Sequence, residues 1–244
     1  MKGFIRFGVV ALALICSTGT LKAQTFFGGT SPLHASATFS ITGGGDLDII
    51  FTNLATTAAS GNAAVLTGLF FDVSGATTFS RTGSSIDANG SSYVNGSLSG
   101  VLGDHWAANF GRTLSGAPGG ALNGIGASGL GGVFGSNDSF SGSGGSPQGV
   151  DYGLVGPGGP GSVNSNQGPQ LQNSIHVVLH STTPLASNAV ISNVWFQYGS
   201  ALQGEPGFPG VPAPPALLTA LMGAAMPGAG FVMQRLRRRQ NVTA

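Results

Sequence analysis

The chain has 244 residues, enough for one ordinary domain, but only 9 Lys+Arg, 8 Asp+Glu and one cysteine against 43 glycines. Between residues 23 and 234 two arginines, Arg81 and Arg112, face all eight acids, formally −6, so the middle of the chain offers no basic patch to phosphates and excludes a nucleic-acid reader. A lone thiol excludes an internal disulfide, and the 41% hydrophobic content, arriving in short runs between Gly/Ser/Asn clusters, excludes a disordered chain.

The first residues, MKGFIRFGVVALALICSTGTLKAQ, have the three parts of a secretory signal. Lys2 and Arg6 form the basic front, Val9 to Ile15 the apolar core, and Ala23 the small residue before a cut that leaves Gln24 as the mature start. The apolar core is too short to span a bilayer. Cys16 falls within the segment to be removed, and Ile15 before it is too large for a bacterial lipid-attachment box.

The body, residues 24–203, reads as strands. In ATFSITGGGDLDIIFTN, Phe39 and Ile41 alternate with Thr38 and Ser40, Gly43 to Gly45 turn the chain, and Leu47, Ile49 and Phe51 share a face of the return strand. Asp46 and Asp48 after three glycines are oxygen donors of the kind calcium takes, but the motif does not recur and a polar hairpin explains it. AVLTGLFFDVSG puts Leu69, Phe71 and Val73 on one face, and shorter strands are expected near Tyr93, Trp106 and Tyr152. Asp104-His105 beside Trp106 suggests part of a hydrolase triad, yet no Gly-x-Ser-x-Gly stands in a strand-to-helix context. Leu114 to Gly149 is mostly Gly, Ser, Asn and Ala, and reads equally as a long loop or as short strands of a glycine-rich sheet.

NSIHVVLHS puts Ile175, Val177 and Leu179 on one face and both His176 and His180 on the other. Two histidines four apart suit a metal only with a third ligand, and no Glu lies between them, so they read as solvent-face residues of a half-buried strand. AVISNVWFQYGS puts Val190, Val194, Phe196 and Tyr198 on one face and Trp195 on the other. With turn signals between the runs and no helical period, the expected fold is all-β: an antiparallel β-sandwich, jelly-roll-like, with glycine-rich loops.

Residues 204–215, GEPGFPGVPAPP, hold three Gly-X-Y triplets, too few for a collagen triple helix, and read as an extended, poorly structured Pro/Gly linker. Residues 216–234 follow as a transmembrane helix; Ala216 to Met233 carries no charge and as a helix would be roughly 27 Å long. The last ten residues, 235–244, form a basic cytoplasmic tail, with Arg235, Arg237, Arg238 and Arg239 stopping transfer.

Val211-Pro212-Ala213-Pro214, the uncharged segment and the arginine cluster, in that order, resemble the PEP-CTERM sorting signal of Gram-negative bacteria. Ala213 stands where that family usually has Glu. The pieces ATFSITGG, TGLFFDVSG, the Trp106 region, SGLGGVFG, VDYGL, NSIHVVL and ISNVWFQYGS also resemble a group of exosortase-dependent surface proteins, over most of residues 35–203. The resemblance implies signal peptidase and exosortase, a membrane protease-transpeptidase, as partners. It further implies the inner membrane as a transient station and the cell surface or extracellular matrix as destination, with exopolysaccharide as a candidate neighbour there. We assign no catalytic residue, cofactor or metal, and expect a non-enzymatic exported protein. The alternative is a carbohydrate-binding sandwich module using Tyr93, Trp106 and Trp195 as stacking faces; a surface hydrolase is the weakest reading.

Overall fold

The computed structural model describes residues 23–75, 78–111, 114, 116–142, 149–163 and 168–214. The expected signal peptide up to Lys22, the expected transmembrane helix 216–234 and the expected basic tail 235–244 lie outside the described residues. Among those described, no helix is long and apolar enough to cross a membrane.

In chain order the strands are β1 (Gln24–Thr30), β2 (Leu33–Ile41), β3 (Leu47–Asn53), β4 (Leu66–Val73), β5 (Phe79–Asp87), β6 (Ser92–Val94) and β7 (Ala107–Asn109). They continue with β8 (Asn123–Gly126), β9 (Leu154–Val155), β10 (Gln170–Gln172), β11 (Ser174–Ser181), β12 (Ile191–Tyr198), β13 (Gly207–Pro209) and β14 (Val211–Pro212). One sheet has the order β14-β1-β2-β3-β11-β5, and the other runs β13-β12-β4-β9-β10-β6, with β8 bridging β4 and β7. Pairing is antiparallel except between β9 and β10.

The first sheet is built by alternation. Ala35, Ala37, Phe39 and Ile41 on β2, Leu47, Ile49 and Phe51 on β3, and Ile175, Val177 and Leu179 on β11 are all buried, while the residues between them keep partial access to water. That is the pattern of a sheet with one solvated face. Its buried face meets the second sheet through aromatic contacts. Phe39 lies 5.2 Å from Phe71 of β4, and Phe51 stacks on Phe196 of β12 at 6.1 Å. The two sheets thus share one core, as the all-β sandwich expectation requires.

Around β4 the second sheet is covered on both faces. Leu69 and Phe71 of β4 point into the shared core, while Phe70 points away and is equally buried. The glycine-rich stretch provides the cover. Among its described residues Leu114, Ala117, Ala121, Leu130, Val133 and Phe134 pack on Phe70, with Trp195 at their margin. Over its described residues the stretch is therefore mostly loop, with the short strand β8 and a small apolar cluster of its own. Its glycines let it lie close: a Cβ on Gly126 would come within 2.6 Å of the Phe134 ring.

Two expectations change here. Val190 is exposed and lies outside β12, whereas Ile191 and Val194 are both buried. The cause is a bulge between Ser192 and Trp195, where Asn193 sits at φ 51° and shifts the alternation by one. The stretch 204–215, expected as a poorly structured linker, is strand-paired to the body from Gly207 to Pro212. Its backbone is extended, as proline demands, but hydrogen-bonded.

Candidate functional site

The motif residues Val211, Pro212, Ala213 and Pro214 form the end of a strap that crosses from one sheet to the other. β13 adds to the edge of β12, setting Gly207 opposite Gln197, Phe208 opposite Phe196 and Pro209 opposite Trp195. β14 then adds to the edge of β1, setting Val211 opposite Phe27 and Pro212 opposite Phe26. Proline at 206, 209, 212 and 214 removes backbone donors. Two that remain are used: Gly210 N–H donates to the Val194 carbonyl at 2.7 Å and Ala213 N–H to the Thr25 carbonyl at 2.8 Å.

Two of the three glycines spaced at every third place, Gly207 and Gly210, have a reason in contact. A Cβ on Gly207 would stand 2.9 Å from the Gln197 amide oxygen, and one on Gly210 2.8 Å from the Val194 side chain. Both glycines therefore face the body. Gly28 of β1 completes the fit, since a Cβ there would fall 2.3 Å from the Phe196 ring. Phe208 seals the crossing edge-on against Tyr198, at 5.9 Å. The turn leading into the strap is tied as well: Glu205 accepts a hydrogen bond from Ala201 N–H, and Gln197 donates its amide to the Ala201 carbonyl.

The strap ends beside the start of the body. Continuing the register past Ala213 brings Pro214 alongside Gln24. Gln24, expected as the first mature residue, is fixed by its own side chain: its amide donates to the Ala189 carbonyl at 2.9 Å and accepts from Ile191 N–H at 3.1 Å. Ala23 next to it is exposed. Among the candidate sorting residues, Val211 to Pro214 and Ala23 and Gln24 are thus brought to one edge; Arg235, Arg237, Arg238 and Arg239 lie outside the described residues.

On the solvated face of the first sheet the two histidines meet carboxylates from neighbouring strands. His176 of β11 is flanked by Asp48 of β3 at Nε2, 2.9 Å, and by Asp87 of β5 at Nδ1, 3.0 Å. His180 Nδ1 lies 3.1 Å from Asp46, whose carboxylate also accepts from Ser181 N–H. Ionised carboxylates only accept, so holding both bonds requires both ring nitrogens of His176 to carry hydrogen. Burial works to lower its pKa, but the bonds and charges of Asp48 and Asp87 outweigh it and the net shift is upward. Asp46 and Asp48 therefore turn to separate histidines rather than to a common point. Among the described residues no group of three His, Cys, Asp or Glu side chains could hold a metal ion. The sequence placed the histidines on the solvent face; Asp87 gave no local signal, because its partner is 89 residues away.

The aromatic residues considered as stacking faces are scattered. Trp106 is fully buried, edge-on to Phe51, and donates its indole N–H to the Tyr152 carbonyl. Trp195 lies under the glycine-rich loop and donates to Asn193, while Tyr93 abuts Tyr152. His105 stacks on Tyr152 at 3.6 Å and bonds the Ser99 carbonyl through Nε2. No family model, curated protein or solved structure matches the chain.

Proposed function

We propose that this is a non-enzymatic exported protein, sent to the cell surface or extracellular matrix of a Gram-negative bacterium by a PEP-CTERM-like C-terminal signal that exosortase processes. The observation that carries the reading is the order Val211-Pro212-Ala213-Pro214, an uncharged run from Ala216 to Met233, then Arg235, Arg237, Arg238 and Arg239. A charge-free run followed at once by fixed positive charge halts in a bilayer with the charge on the cytoplasmic side. The precursor is then held in the inner membrane, and cutting near the motif frees or transfers the body. The logic parallels other signals made of a spacer, an apolar tail and removal.

The body suits such a role. It is acidic, presents a solvated sheet face, and carries its motif beside Gln24, so a leader and a tail depart from one edge. Mass spectrometry of the C-terminus in surface fractions tests the reading. The expected product ends near Val211–Pro214; an intact chain ending at Ala244 in those fractions overturns it.

A further inference from the structure

The segment to be cut is also a strand of the folded body. We infer that the strap is an autoinhibitory contact: while docked on β1 the Val211–Pro214 segment is withheld from its protease, and cutting proceeds through the fraction in which β14 has lifted. This rests on the sorting reading above. A protease takes its substrate as an isolated extended chain, and cleavage of a folded protein tracks the population of the locally opened form when opening is fast.

The geometry makes that opening small and local. β14 has two residue pairs with β1 and one further bond, from Ala213 N–H to Thr25. Its side chains bury little: Val211 is 64% exposed, and Pro212 and Pro214 are exposed too. β13 is held harder, by three residue pairs to β12, the Phe208 ring on Tyr198 and the Gly210 bond to Val194. The last turn of the strap therefore peels from Gly210 onward while β13 stays seated. The body is still folded when the motif is free, so the fold sets the rate of release without being lost to it.

A reversible lock tests this on the full chain. Phe27 and Val211 are direct Cα partners, and both side chains are exposed on the same face. Antiparallel partners stand about 4.5–5.5 Å apart, within the span a disulfide bridges. The double variant Phe27→Cys/Val211→Cys, with Cys16→Ser to remove the other thiol, is expressed in a host that carries exosortase. Oxidised, it should be cut at least about tenfold more slowly than the two single-cysteine variants, and reduction should restore the rate. Equal cutting of locked and unlocked chains overturns the strap inference. No cutting of the parent chain overturns the sorting reading instead. In that event amide hydrogen exchange decides the strap separately: the Ala213 amide should be protected, though less than that of Gly210, and an unprotected Ala213 rejects the docking on which the inference stands.

Discussion

His176 shows how much chemistry one side chain gathers when the two neighbouring strands each present a carboxylate to it. Its folded pKa is raised above the ordinary 6.5, so its charged form is favoured by folding. The stabilisation is fully present below the ordinary value and fades as pH rises through the raised folded one. The side chain keeps some access to water, which discounts the bond energies, and about 1 kcal/mol is the expected size. His176→Gln should therefore destabilise the body at pH 5.5–6 and lose most of that effect well above neutrality, as urea denaturation at several pH values will show. An effect that does not change with pH would mean that the ring merely packs. Asp48→Asn, removing one acceptor, should lower the His176 pKa in an NMR titration, since the charge and bond that raise it come from that carboxylate. The histidines were legible as solvent-face residues from spacing alone. Their partners were not, because Asp46, Asp48 and Asp87 reach them only through the β3–β11–β5 register.

Elements differ in how openly the sequence declares them. β2, β3 and β11 alternate cleanly because one face is dry and the other wet, and that contrast is what periodicity reads. β4 is buried on both faces, so Phe70 looked like one more apolar residue until the glycine-rich loop supplied its partner. β12 hides a bulge at Asn193, a residue type that accepts φ > 0 but does not announce it. The strap was misread because Gly-Pro composition is the signature of linkers. Only the facing strand reveals that Gly207 and Gly210 are spaced for contact. That contact makes a prediction: Gly210→Val forces side-chain atoms onto Val194 and should release the strap, raising exchange at the Ala213 amide while leaving the core strands protected. By contrast Phe196→Ala, at the centre of the shared core and stacked on Phe51, should cost about 3–5 kcal/mol and lower the whole transition. A Gly210→Val chain that melts as Phe196→Ala does would show that strap and core are a single cooperative unit.

At the scale of the molecule, the antiparallel run of β14 against β1 makes the two ends of the described body adjacent. A leader before Gln24 and a tail after Pro214 would leave from neighbouring positions on one sheet edge, so a body held by either is held at the same place. The middle of the chain is formally −6, a charge that repels polyanions rather than drawing the body onto them. Adjacent ends also mean that the order of the chain is not essential to the sandwich. β14 and β1 already stand as the arms of a hairpin that lacks only its turn. Joining Pro214 to Gln24 through a short Asn-Gly turn, and opening the chain between the exposed Gly43 and Gly44, should give a permuted body that folds. The new break costs the β2–β3 turn, in which Gly45 N–H bonds the Thr42 carbonyl; the new join removes the loose end at β14. The permuted body should unfold in urea as one transition with an m-value like that of the parent, since the buried surface is the same. A permuted chain that collapses without a cooperative transition would mean that the strap is not seated on β1 in solution, and the adjacency of leader and tail would go with it.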